Sequence, residues 1–237
     1  MKELQYEGGL LDGLLDGVGG RPEGGGRSEG GRQEPKQERA RRTRDRILQA
    51  AAEIFAVRSY PTVTLQDVAD RMGMTKGAVY FHYKNKEALA VAVVEAHYVH
   101  WGSLVKETVA ETTARELPPL QRILAVLDRV VDAFRHDVLI QAGARLQLER
   151  ALIQAELPRP YRGWIAMLTE LATEADAAGE LREGVTPTAL AHVIVSSVFG
   201  MQHISDTLTG RADLMTRYKE LRPFLLAGAA ATAAGRP

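Results

Sequence analysis

The sequence predicts an all-α chain in which a small three-helix domain near the N-terminus is followed by a larger helical domain. Three observations carry that prediction. From Arg39 almost to the end, apolar residues recur at helical spacing, and no run sustains the two-residue alternation of a half-buried strand. Proline and glycine fall mostly between those runs, at Pro61, Gly73, Pro118, Pro119, Pro158, Pro160, Gly179 and Pro187. Finally, Gly73 separates two short helical segments, the spacing of a helix-turn-helix.

The elements follow in chain order. Residues 1–38 combine glycine, charge and proline with few apolar side chains, so burial cannot offset the entropy of ordering, and a disordered tail is predicted. Leu10, Leu11, Leu14 and Leu15 are spaced for a turn or two of helix, against which Gly13 and Gly17 weigh. The glycine-rich run lacks the Lys-Ser/Thr ending and preceding strand of a phosphate loop.

The first helix is expected from about Arg39 to Val57, with Ile47, Ala51, Ile54 and Phe55 on one face. Ser59-Tyr60-Pro61 ends it. Thr64 caps the next, whose stripe is Leu65, Val68, Ala69 and Met72. Gly73 supplies the positive φ of the turn. Thr75 then caps a short helix from Lys76 to about Tyr83, with Val79 and Phe81 assigned to the core. Asn85 caps a long helix through Leu89, Val93, His97 and Trp101, and further helices are expected near 118–136, 138–155, 159–178, 187–208 and 212–232. The predicted organisation is a tail at 1–38, a helix-turn-helix domain at 39–85, a larger helical domain at 86–232 and a flexible end at 233–237. The last two helices are apolar over more than one stripe. A helix hydrophobic on two faces needs a second partner surface, so they are assigned to a four-helix interface in a homodimer, the alternative being that each lies inside a monomer.

Composition excludes several classes. With no cysteine there is no disulfide, thiolate catalysis or cysteine-held zinc. Net charge is zero, yet Arg39 to Lys86 carries ten Lys/Arg against four Asp/Glu, a local footprint for phosphate. No apolar run approaches the roughly 20 residues of a membrane span, and the first residues lack the basic-then-apolar order of a signal peptide. A cytoplasmic protein without a membrane partner is expected. An all-α enzyme is disfavoured, because there is no nucleophile elbow, His-Glu-x-x-His or phosphate loop, and Ser196-Ser197 reads as a packing pair. His97 and His100 lie three apart without a third histidine or a carboxylate pair nearby, so neither metal nor cofactor is expected.

The second helix of a helix-turn-helix must enter the major groove closely and present donors. Small Gly77 and Ala78 allow the approach, and Thr75, Lys76, Tyr80 and His82 supply donors. Tyr83, Lys84 and Lys86 follow, placed for sugar-phosphate, while Thr62 and Thr64 precede the first helix of the pair and are assigned to phosphate on the other side of the groove.

Residues 40–90, and above all LQDVADRMGMTKGAVYFHYKNKEAL, resemble the DNA-binding domain of the TetR family. The resemblance implies a homodimer with three DNA-binding helices and a helical ligand-binding core. By matching position it puts Thr64 on phosphate, Thr75, Lys76, Gly77 and Tyr80 in the major groove, and His82 and Lys86 near the backbone. Arg44, ahead of the first apolar residue, is assigned to phosphate or the adjacent minor groove.

Within that family, TKGAVYFHY is similar to the γ-butyrolactone receptors of actinomycetes, as is PRPYRGWIAMLTELATEA, which resembles their segment leading to a pocket tryptophan. This implies a repressor of secondary metabolism such as antibiotic biosynthesis. It would hold a pseudo-palindromic operator in double-stranded DNA and be released by a γ-butyrolactone, furan or butenolide signal, with Trp164 against the ligand. Small-molecule pockets are mostly apolar with a few aimed polar groups. The residues assigned are Tyr98, Trp101, Leu168 and Val198 as walls, with Gln147 and Tyr161 as hydrogen-bonding groups. A glutamine on an apolar helix face needs a partner. The rival is a pseudo-receptor or multidrug-type regulator on the same scaffold.

Overall fold

Good helix formers extend the first helix beyond its expected start. In the computed structural model, which describes residues 34–231, α1 is Glu34–Phe55 and begins five residues before Arg39. Proline near a helix start costs no hydrogen bond, and a glutamate there suits the helix dipole. A Glu38–Arg42 pair one turn apart adds to both. Of the disordered tail expected at 1–38, residues 34–38 are helical instead, while residues 1–33 with their leucines, and the flexible end at 233–237, lie outside the described residues.

The other helices are α2 (Leu65–Met72), α3 (Lys76–His82), α4 (Lys86–Ala114), α5 (Pro119–His136), α6 (Val138–Leu148), α7 (Arg162–Ala177), α8 (Pro187–Thr209) and α9 (Leu214–Ala229), with 3-10 turns at Tyr60–Thr62 and Arg150–Leu152. Among the described residues there is no strand, only an isolated bridge between Leu181 and Ala230. The fold is all-α, as the sequence predicts. Among the described helices only α4 is long and apolar enough to cross a membrane, and half of its apolar stretch is buried inside the protein.

The chain divides into two compact units. The first holds residues 34–100 and Val138–Pro158, so it contains the expected 39–85 together with the start of α4 and all of α6. Here α1 packs on α2 and α6, and α2 on α3. Ile47, Ala51, Phe55, Val68, Val79, Leu89, Val93 and Leu146 form its core. Each large apolar side chain removed from water contributes about 1.5–3 kcal/mol.

Two half-buried contacts of charged side chains tie α6 and its end to the end of α1. The Arg145 Nε donates to the Ala56 carbonyl at 3.1 Å, and the Glu149 carboxylate accepts from the Tyr60 N–H. The second contact explains why the helix expected at 138–155 stops at Leu148: Glu149 leaves helical geometry (φ −90°, ψ 10°) and a 3-10 turn follows. Gly143 lies where α6 crosses the His97 side chain of α4. A Cβ there would sit 2.1 Å from His97 Cγ, a place only glycine can occupy.

The second unit holds Trp101–Asp137 and residues 159–231. In it α7 packs on α5 and α8, and α9 on α5 and α8. The inner stripe of α5 is Ile123, Leu127, Val130, Val131 and Phe134. Its outer side holds α9 through Asp128, which accepts from the Tyr218 hydroxyl and pairs with Arg222 at 3.3 Å.

Candidate functional site

The α2–α3 turn forms as its residues dictate. Gly73 closes α2 in the left-handed region (φ 62°, ψ 31°), and the Met74 N–H donates to the Ala69 carbonyl at 2.9 Å. Thr64 and Asp67 make a reciprocal capping box: the Thr64 hydroxyl accepts from the Asp67 N–H, and the Asp67 carboxylate accepts from the Thr64 N–H at 2.7 Å. Hydrogen bonds from the Thr64 hydroxyl and from Arg58 hold the Asp67 carboxyl down at about 2.

Thr75 caps α3 by accepting from the Ala78 N–H, which leaves its hydroxyl proton free to donate outward. Thr64 and Thr62 differ. The Thr64 hydroxyl donates to Asp67 and the Thr62 hydroxyl to the Ser59 carbonyl at 2.9 Å, so reaching phosphate as donors requires each to give up an internal bond.

Lys76, Gly77, Tyr80 and Lys84 are exposed, as are Thr75 and Arg44, while His82 is half-buried. The Lys76 ammonium lies 5.5 Å from the Tyr80 ring centroid, so the two form one cationic, aromatic surface on α3. Two sequence assignments change. Phe81, expected in the core, is 82% exposed, and its ring meets His82 edge-on at 5.2 Å. Tyr83, expected at sugar-phosphate, is buried. Val79 and Tyr83 lie four apart on one face, which points Phe81 the opposite way.

The Tyr83 hydroxyl accepts from Arg44 Nε at 3.4 Å, and the guanidinium lies 5.7 Å from its ring. Burial pushes the Tyr83 phenol up, and Arg44 pulls the other way. Lys86 is half-buried and turned inward. Its Nζ donates to the Tyr60 carbonyl at 2.9 Å and sits 4.3 Å from the Tyr60 ring. The Tyr60 hydroxyl donates to Glu87 at 2.9 Å, and burial with this carboxylate raises its pKa.

The residues assigned to a ligand fall into two sets. Gln147 and Tyr98 belong to the first unit. Buried Gln147 donates from Nε2 to the Tyr98 hydroxyl at 3.0 Å and to the Pro158 carbonyl at 3.1 Å, so the partner its position demands is Tyr98. Arg150 donates to the Leu157 carbonyl at 3.3 Å, holding the same loop.

The second unit holds a cluster of five rings: Trp101, Phe134, Tyr161, Trp164 and Phe199. Trp101 meets Trp164 edge-on at 4.9 Å and Phe134 at 5.6 Å, and Phe199 meets Tyr161 at 4.9 Å and Trp164 at 6.0 Å. Such edge-to-face pairs contribute about 0.5–1.5 kcal/mol each beyond their area. Leu168 and Val198 are buried on α7 and α8.

Tyr161 sits in the left-handed region (φ 66°), a strained place for a tyrosine, and burial pushes its phenol up. Phe134 was not among the sequence candidates. Its place in the regular stripe of α5 marks it only as core.

The tetR family model of bacterial regulatory proteins matches residues 47–93. The A-factor receptor protein of Streptomyces griseus is 31% identical over 186 residues, which is 78% of this chain, and the chain spans only 63% of that receptor's length. A solved structure reported as the molecular basis for control of antibiotic production by bacterial hormones is 49% identical, with a TM-score of 0.73 over 80% of this chain and 98% of its own. TylP, a TetR regulator from Streptomyces fradiae, is 31% identical, with a TM-score of 0.57 over 82% of this chain and 90% of its own. The chain belongs to the TetR family of bacterial regulatory proteins.

Proposed function

We propose that this chain is a ligand-responsive transcriptional repressor. It binds a pseudo-palindromic operator in double-stranded DNA as a homodimer, in the cytoplasm, and lets go when a small γ-butyrolactone-, furan- or butenolide-type signal binds. Control of secondary metabolism follows from that signal class. The observation that carries the reading is the outer face of α3, where Lys76, Tyr80 and Phe81 stand exposed between Thr75 before the helix and Lys84 after it. An apolar ring and a row of donors on one short exposed helix suit base edges, thymine methyls and phosphates together.

A single head of this size binds weakly and through salt-sensitive contacts, so specificity requires two heads about one helical turn of DNA apart. The outward stripe of α8 supports the homodimer. Val193, Ser197, Gly200, Ile204 and Leu208 recur at helical spacing, and the three large members are 54%, 48% and 67% exposed. Support for a hormone-like effector comes from the likeness to the A-factor receptor and to the structure reported for bacterial hormones. Trp101, Tyr161 and Trp164, in the aromatic cluster of the second unit, are assigned to it. No bond is made or broken. The signal acts through its differential affinity for the DNA-competent and released forms.

The test is fluorescence anisotropy of duplexes selected by the protein from random DNA, with and without synthetic γ-butyrolactones, furans and butenolides. Enrichment of a pseudo-palindrome that one compound releases is the expected result. Enrichment without release by any of them would remove the signal class and leave a repressor of another effector type. Failure to enrich any sequence at low salt would overturn the reading as a whole.

A further inference from the structure

The first three turns of α1 bury no side chain among those described, and only Arg44 ties them to the rest of the unit. Ile47 is the first buried residue of the helix, so α1 runs ahead of its own core from Glu34 to Arg46, roughly 20 Å at 1.5 Å per residue. Residues 37–46 carry five arginines (Arg39, Arg41, Arg42, Arg44 and Arg46) against Glu38 and Asp45. Arg42 pairs with Glu38 and Arg44 with the Tyr83 hydroxyl. Arg39, Arg41 and Arg46 have no ion pair or side-chain hydrogen bond among the described residues.

A helix that packs against nothing is marginal in water, and cations near its N-terminal end oppose the helix dipole. A concentrated anion alongside would offset both costs. The direction of the arm is also set. Arg41 lies one turn before Arg44 on the same face, and Arg44 reaches Tyr83 at the end of the helix that reads DNA.

We propose that residues 37–46 form a basic helical arm that binds the phosphate backbone of duplex flanking the sequence read by α3. Duplex DNA presents a charge about every 1.7 Å of axis, and a ten-residue helical arm, about 15 Å long, matches the rise of about four base pairs. The contact adds affinity and a preference for longer duplex without adding base specificity. This inference rests on the DNA-binding reading above.

The test compares wild type with the Arg39→Ala/Arg41→Ala/Arg42→Ala variant on the selected operator, as the minimal palindrome and with about ten base pairs added to each side, over a range of salt. Alanine is the best helix former and all three positions are exposed, so the variant keeps its fold. The expected result is a fall in the log K against log salt slope of about 1 for each arginine that leaves a phosphate, with loss of most of the affinity that wild type gains from the flanks. Arg39→Lys/Arg41→Lys/Arg42→Lys is expected to restore the slope.

An Ala variant with wild-type slope and wild-type gain from the flanks would overturn the arm and leave its charge to another anionic partner. Failure of the lysines to restore the slope would overturn the electrostatic basis. Absence of any DNA binding by wild type would overturn the repressor reading and this inference with it. Binding by wild type with no effect in the variants overturns this inference alone.

Discussion

Gly143→Ala tests whether α4 and α6 of the first unit are packed as tightly as their residues indicate. The new Cβ would meet His97 Cγ at 2.1 Å, Nδ1 at 2.3 Å and Cβ at 2.5 Å. Ordinary carbon contacts lie at about 3.5–4.0 Å, so the pair must open by more than an ångström. Rotating the imidazole does not relieve this, because the His97 Cβ moves only with its backbone. Overpacking of this kind costs about 1–3 kcal/mol and sometimes more, and a clash rooted in Cβ belongs at the upper end. At about 2–4 °C per kcal/mol for a chain of this size, the midpoint of thermal unfolding is expected to drop by about 6–12 °C. His97→Ala removes two of the three clashing atoms, so the double variant should be less destabilised than the sum of the single ones, with a coupling of about 1 kcal/mol or more. Differential scanning fluorimetry and urea titration of all four proteins measure this. A Gly143→Ala protein melting within about 2 °C of wild type, or two substitutions that simply add, would refute the packing argument.

Phe81→Ser is expected to leave stability within about 0.5 kcal/mol, because an exposed ring has no core to lose, and to weaken operator binding. Urea unfolding beside anisotropy separates that from the several kcal/mol a core phenylalanine would cost. Trp164→Phe keeps a ring against Trp101 and so retains the fold and operator binding while weakening release by the signal, and undiminished release would take Trp164 out of the effector's surroundings. Because the Asp67 carboxyl is held down at about 2 from an ordinary 3.8, its contribution is present above about pH 4 and lost as pH falls through about 2. The stability advantage of wild type over Asp67→Asn, measured by urea titration at pH 5 and near pH 2.5, should shrink accordingly. Ile204→Glu/Leu208→Glu puts charge on the outward stripe of α8 and is expected to yield a monomer in sedimentation, and persistence of a dimer would move the interface elsewhere.

Helix identity was legible from local chemistry. Thr64, Gly73, Thr75 and Asn85 stop and start backbone through their own hydroxyl, amide or lack of Cβ, so α2, α3 and the start of α4 stand where those residues put them. The error at Phe81 came from placing Val79 and Phe81, only two residues apart, together in the core and sending Tyr83 outward. At 3.6 residues per turn only Val79 and Tyr83 share the inner face. The early end of α6 had no local signal, since Glu149 is an adequate helix former. It leaves the helix to accept a hydrogen bond from Tyr60, 89 residues earlier, and a partner so distant is invisible in a linear pattern. The same holds for Gly143, whose need for a bare backbone arises only when His97 arrives from α4. Among the ligand candidates, the partner demanded by Gln147 was foreseeable as a necessity, but its identity as Tyr98 was not.

The placement of α6 has a consequence for how a signal is felt. Gln147 lies between Arg145 and Glu149, and those two residues hold the backbone at Ala56 and Tyr60, beside the capping box that opens α2. Hydrogen bonds to charged groups contribute about 1.5–3 kcal/mol each and weaken steeply once their geometry departs from linear. Useful allosteric coupling is about 1–3 kcal/mol, so loosening one of these two bonds is enough. A ligand that draws Gln147 away from Tyr98 and Pro158 therefore acts on the same short helix that braces the reading head, and needs no longer route within the first unit. The aromatic cluster, by contrast, lies wholly in the second unit. On this reasoning, substitution of Gln147 should change the operator affinity of the unliganded protein as well as its response, while substitution of Trp164 should change the response alone.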